Sequence, residues 1–150
     1  MLKRNWRVIL VVCGLILALT PNLYGADKVL FPYQDPQLPI EERVEDLLSR
    51  MTLAEKVGQM TQIEVARLMG RDQWDRGPLN NTWLRNILRD NVVGSVFSGG
   101  GSAPVPNTPR DWAEMTNAIQ AYALEHSRLR IPIIYGVDAV HGHNTVLGAT

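Results

Sequence analysis

From Ile40 onward, apolar side chains return every three or four residues, at Val44, Leu47, Leu48 and Met51, with Glu41, Glu42, Arg43 and Asp46 between them. That spacing predicts an amphipathic helix with its apolar stripe buried. Thr52 and Glu55 form a capping-box pattern, which predicts the end of this helix and the start of a second whose Leu53, Val57 and Met60 face inward. Residues 65–81 mix Gly70, Gly77, Pro78 and two asparagines with Trp74 and show no period, so they predict a surface loop, after which Thr82 caps a short helix through Arg89. In "NVVGSVFSGGGS", Val92, Val93, Val96 and Phe97 predict a short strand stopped by Ser98 and three glycines. Thr108, Pro109 and Asp111 mark a helix start, because proline is preset for the first helical position and the acid faces the positive dipole end. Trp112, Met115, Ile119 and Tyr122 supply that helix's buried stripe. In "RIPIIYGVD", Ile131, Ile133, Ile134, Tyr135 and Val137 make a nearly continuous apolar run, the pattern of a strand covered on both faces. Strand, helix, strand with short connections predicts a parallel pair with a right-handed crossover.

The N-terminal pattern is of another kind. Lys3, Arg4 and Arg7 precede 12 uninterrupted apolar or small residues, Val8 to Leu19, followed by Thr20, Pro21 and a small-residue site near Gly25. This layout predicts a secretory signal over residues 1–25. The run is shorter than the roughly 20 residues that a membrane-crossing helix needs, so no stable anchor is expected after cleavage. Cys13 lies in mid-run behind Val11 and Val12, away from the small-residue context of a lipid-attachment site, and it leaves with the signal. The exported remainder, 26–150, opens on an extended lead-in with three prolines in residues 27–39. The chain has 15 basic and 15 acidic residues; loss of Lys3, Arg4 and Arg7 leaves 12 against 15. A net charge of minus 3 gives no electrostatic reason to expect nucleic acid as a partner.

In parallel α/β folds the loops that leave the C-terminal ends of the strands share one face, and that face carries the active site. "SGGGS" and "DAVHGHN" both fall there. A phosphate cradle wants glycines running straight into a helix, yet Ala103, Pro104, Val105 and Pro106 intervene before Thr108. The reading preferred for Ser98, Gly99 and Gly100 is that they let backbone pass close to a pocket or a neighbouring strand end. Three readings of Asp138, His141 and His143 stay open at this point. The imidazoles can be structural, the carboxylate can take two adjacent sugar hydroxyls, or the histidines can hold a metal.

Taken together, "IEERVEDLLSRMTLAEKVGQMTQIE", "VGSVFSGGGSAPVPNTPRDWAEMTNAIQ" and above all "IPIIYGVDAVHGHNTVLGAT" resemble the N-terminal part of glycoside hydrolase family 3, the β-glucosidase and exo-β-glucanase kind. The resemblance implies an α/β fold that is the N-terminal portion of a (β/α)8 TIM-type barrel, acting on β-glucans or β-glucosides by a retaining mechanism without metal or organic cofactor. It matches Asp138 to the carboxylate that binds ring hydroxyls, and gives His141 and His143 loop-shaping roles beside Ser98, Gly99 and Gly100. The nucleophile and acid/base are expected beyond Thr150, so none is expected in this chain. A complete barrel takes about 250 residues, and the chain is expected to be a fragment, inactive and poorly folded alone. Two rival readings accompany this one: a metal-dependent barrel hydrolase with His141 and His143 as ligands, and a non-catalytic carbohydrate-binding remnant that keeps Asp138.

Overall fold

The computed structural model describes residues 31–139, 142, 143, 146 and 148. The signal-peptide reading, the first part of the lead-in and His141 fall outside the described residues. The chain divides into two compact units, one up to Leu47 and one from Leu48.

In the first unit a single 3₁₀ turn, Pro32–Gln34, precedes helix α1, Ile40–Arg50, which runs across the division. Proline presets the turn's backbone and costs no donor at its first position. Tyr33 is buried and stacks on Phe31, with ring centroids 5.6 Å apart. Polar contacts tie the turn to the helix: Asp46 Oδ2 accepts from the Tyr33 amide at 3.2 Å, and Arg43 Nε donates to the Tyr33 carbonyl at 2.8 Å. The helix forms where predicted, but its apolar stripe is not buried: Ile40, Val44 and Leu48 are exposed. Periodicity reports which face is apolar, and only a partner decides whether that face is covered.

The second unit holds a three-stranded parallel sheet in the order β1 (Gln62–Glu64), β2 (Ser95–Ser98), β3 (Ile134–Val137). Helix α2, Leu53–Gln59, starts at the predicted capping box, with Thr52 Oγ1 accepting from the Glu55 amide and Glu55 returning a bond to the Thr52 amide. Its predicted inner face is outside instead. Leu53 and Met60 are 78% and 80% exposed, while Glu55 and Gly58 are buried. The cause is a backbone-to-backbone contact. The Gly94 amide donates to the Gly58 carbonyl at 3.0 Å, and a Cβ on Gly58 would run into the carbonyls of Asn91 and Val92. Gln59 Nε2 completes the contact by donating to the Val92 carbonyl at 2.8 Å.

Four further features differ from what the sequence predicts. Strand β1 is absent from the sequence reading, because three residues with one apolar member carry no readable period. The span read as a loop over 65–81 begins with a 3₁₀ turn, Val65–Met69, in which Val65, Ala66, Leu68 and Met69 are all buried. The short helix α3 is capped by Asn80 rather than Thr82, covers Asn81–Leu84 and widens into a π turn over Arg85–Asp90. Strand β2 starts at Ser95, three residues later than read, since Val92 sits at φ 49 and its carbonyl is taken by Gln59.

Helix α4, Pro109–His126, matches its prediction in start, cap and buried stripe: Trp112, Met115 and Ile119 are buried and Tyr122 partly so. The core joins this stripe to Val65, Leu68, Leu88 and Val96, with Ile63 and Tyr135 packed against it. Each full burial of such a side chain is worth about 1.5–3 kcal/mol. Ile63, Val96 and Tyr135, in register across the three strands, share the face of the sheet turned to this core. On the other face Ile134 is exposed and Gln62 Nε2 donates to Ser95 Oγ at 2.8 Å, so the expected two-sided cover of β3 is not seen. The start of β3 is held by Gln120, whose amide donates to the Ile133 carbonyl at 2.7 Å and accepts from the Ile133 amide at 2.8 Å.

Candidate functional site

All three strands are parallel, so Glu64, Ser98 and Val137 end on one side of the sheet and the segments that follow converge there. Asp138 comes directly after β3. Its amide donates to the Ser98 carbonyl at 2.9 Å, extending the β2–β3 ladder by one rung, while its side chain is exposed. Among the described residues its carboxylate accepts no hydrogen bond from the protein. The backbone is thus fixed by the ladder while the carboxylate, a group that only accepts hydrogen bonds when ionised, stays open to solvent.

The glycine turn is built from Ser98. Its buried Oγ donates to the Ser102 carbonyl at 3.1 Å, and the Ser102 amide donates to the Gly99 carbonyl at 3.2 Å. Gly99 is buried beneath Trp74, and Gly100 is exposed. A Cβ on Gly99 would overlap the benzo edge of the indole, so only glycine leaves room for it. Trp74 arrives on residues 71–79, which are stitched along the far limb of the glycine turn. Arg76 pairs in parallel with the buried Ala103, the Gly77 amide donates to the Ala103 carbonyl at 3.2 Å, and Arg76 Nε donates to the Gly101 carbonyl at 3.0 Å. Sequence reasoning passed over Trp74; its one signal was a tryptophan within an otherwise polar, aperiodic stretch.

Past Asp138 the chain turns. The Gly142 amide donates to the Ala139 carbonyl at 3.2 Å, with Gly142 at φ 77, a backbone state natural to glycine. His143 is half-buried and stands edge-to-face on Trp112, 4.8 Å between ring centroids. Trp112 Nε1 is in turn spent on Asn107 Oδ1 at 2.6 Å. Among the described residues no group of three or more His, Cys, Asp or Glu side chains is placed to hold a metal ion.

Glu64, which the sequence reading did not single out, ends β1 half-buried, with Oε2 accepting from the Ala66 amide at 2.9 Å. Its Oε1, Tyr135 Oη, Ser102 Oγ and His143 Nδ1 are buried with no hydrogen-bond partner among the described residues. Burial pushes the Tyr135 phenol up to about 12, so it is a neutral donor at any physiological pH.

Comparison with known proteins adds an independent finding. Residues 52–150 match the family model described as the glycosyl hydrolase family 3 N terminal domain. The chain is 36% identical over 112 residues to the lysosomal beta glucosidase of Dictyostelium discoideum, covering 71% of this chain and 13% of that protein. It is 32% identical over 130 residues to the periplasmic beta-glucosidase of Salmonella typhimurium, covering 86% of this chain and 13% of that one. With the periplasmic beta-glucosidase/beta-xylosidase of Dickeya chrysanthemi it shares 32% identity over 124 residues, covering 83% and 18% respectively. The chain thus spans less than a fifth of the length of these relatives.

Proposed function

The chain belongs to glycosyl hydrolase family 3, and from that premise we propose that it forms the sugar-gripping N-terminal share of an exported β-glucosidase-type hydrolase. The reaction is the release of terminal glucose-like units from β-glucosides or β-glucans. The parallel sheet is the first part of a (β/α)8 barrel. The retaining chemistry, with carboxylate nucleophile and acid/base about 5–5.5 Å apart, is supplied by residues beyond Thr150. Export is supported by the charged-then-apolar pattern of residues 1–25 and by relatives named as periplasmic.

One observation carries the role of this chain: Asp138 has its backbone fixed to Ser98 and its carboxylate open at the C-terminal end of the sheet. Two neighbouring ring hydroxyls donate to the two carboxylate oxygens, each a charge-assisted bond. Contacts to ring hydroxyls strengthen as the pyranose distorts toward the oxocarbenium-like transition state, so the grip lowers the barrier as well as binding the ground state. Ser98, Gly99 and Gly100 shape the turn that holds this rung. His141 and His143 shape the loop after it and take no part in proton transfer.

Asp138→Asn tests the role in the protein as its gene encodes it. Hydrogen bonds to a charged group contribute about 1.5–3 kcal/mol each, so the loss on an aryl β-glucoside should be roughly 100-fold or more in kcat/KM, with an unchanged melting curve. Activity within twofold of wild type refutes the assignment.

A further inference from the structure

Two tryptophans of this unit are about half exposed, Trp74 at 48% and Trp83 at 44%, and they stand in different places. Trp83 rests its pyrrole edge on Gly70 and lines a surface groove of about 450 Å³ with Arg67, Arg71, Asp72 and Asp75. Trp74 rests its benzo edge, Cε3, Cζ3 and Cη2, on Gly99. Gly99 directly follows Ser98, whose carbonyl holds the Asp138 amide. The indole therefore stands one residue away from the rung that anchors the candidate sugar-binding carboxylate.

Its attachment is specific. The ring meets Gly99 along its benzo edge, the residue as a whole stays 48% exposed, and its backbone lies against Gly101. The segment behind it is pinned through Arg76 and Gly77 to the buried Ala103. Trp74 itself sits at φ 70, a costly state for a residue with a Cβ, held by those flanking contacts. Exposing this much apolar ring on a pinned segment costs solvation that a ligand can recover. An indole face is electron-rich, and the C–H face of a pyranose is its complement, so a sugar ring stacks there while its hydroxyls stay free for polar partners.

Resting on the glycosidase reading above, we propose that Trp74 is a stacking platform for the saccharide unit adjacent to the one that Asp138 holds. The site then reads at least two units of a β-linked gluco-oligosaccharide, Asp138 gripping the terminal ring by its hydroxyls and Trp74 the next ring by its C–H face. Trp74 is a specificity-determining residue with no part in bond breaking.

The test uses the gene-encoded protein with two substrates, methyl β-glucoside, which has a single ring, and a β-linked glucotriose. Trp74→Ala should raise KM on the triose about three- to tenfold, the range of an aromatic stacking contribution, with kcat unchanged. The same variant should keep kcat/KM on the methyl glucoside within twofold of wild type. Trp74→Phe should restore most of the triose affinity, whereas Trp74→Leu, with apolar bulk over Gly99 but no ring face, should not. If the alanine variant fails to fold, the Phe and Leu pair decides alone. Trp83→Ala should leave both substrates unaffected. Equal losses on the two substrates, or Leu performing as well as Phe, would overturn the platform while leaving the glycosidase reading intact. A wild type inert toward both substrates would sink that reading, and the platform with it.

Discussion

Replacing Glu55 by glutamine removes the charge from the most heavily bonded side chain at the start of α2. Glu55 Oε1 accepts from Arg128 Nε at 2.9 Å and Oε2 from Nη2 at 2.6 Å, a two-pronged pair across 73 residues of sequence. Oε2 also takes the Thr52 amide at 2.8 Å, and Arg128 Nη2 reaches the Arg50 carbonyl at 2.8 Å. The Arg128 guanidinium, bonded to the carboxylate, lowers the Glu55 carboxyl from 4.5 to about 2. Unscreened, that displacement corresponds to ~3 kcal/mol of folded-state preference for the ionised form. The Arg128 side chain is 56% exposed, so water screens the pair and about 1–1.5 kcal/mol survives. Since the folded value lies below the unfolded one, the contribution is fully present above pH 4.5 and disappears as the pH falls through 2. A double-mutant cycle with Glu55→Gln and Arg128→Met, followed by urea unfolding at pH 7 and pH 3, reads it directly. The coupling energy should be about 1 kcal/mol at pH 7 and less than half of that at pH 3. Coupling indistinguishable from zero at pH 7, or coupling that grows with acidity, refutes the reasoning.

Gln120→Leu should cost about 2–3 kcal/mol, because it strands both the amide and the carbonyl of the buried Ile133. Hydrogen exchange at the Ile133 amide should quicken in the same variant, and a loss under 0.5 kcal/mol in urea melts would count against the clamp. Arg130, exposed at φ 49 between α4 and β3, holds a left-handed backbone that glycine adopts freely. Arg130→Gly should therefore raise stability by about 0.5–1 kcal/mol, and a lowered melting temperature would contradict this.

What was legible in the sequence was local. Thr52 with Glu55, and Thr108 with Pro109 and Asp111, declare helix starts through contacts three residues apart, and both capping boxes form. The α4 stripe, the parallel pairing of β2 with β3 and the position of Asp138 at a strand end were also readable, since each follows from period and order along the chain. The misses share a different cause. Leu53 and Met60 are apolar at helical spacing, yet Gly58 decides the orientation of α2 by admitting the Asn91–Val92 backbone, a contact made across more than 30 residues. Strand β1 owes its existence to β2 beside it rather than to any preference of Gln62, Ile63 and Glu64. Trp74 looked like loop filler because the glycine it needs, Gly99, lies 25 positions on.

The Gly58–Gly94 contact sits just ahead of β2, at the end of the sheet opposite Asp138 and Trp74. No side chain larger than hydrogen fits there, so that end tolerates almost no sequence drift. At the opposite rim the Asp138 rung is a main-chain bond that any residue supplies, while Gly99 is confined to glycine by Trp74. The side chain at position 138 can therefore change without disturbing its rung, while the steric lock at the other end keeps the strands in register.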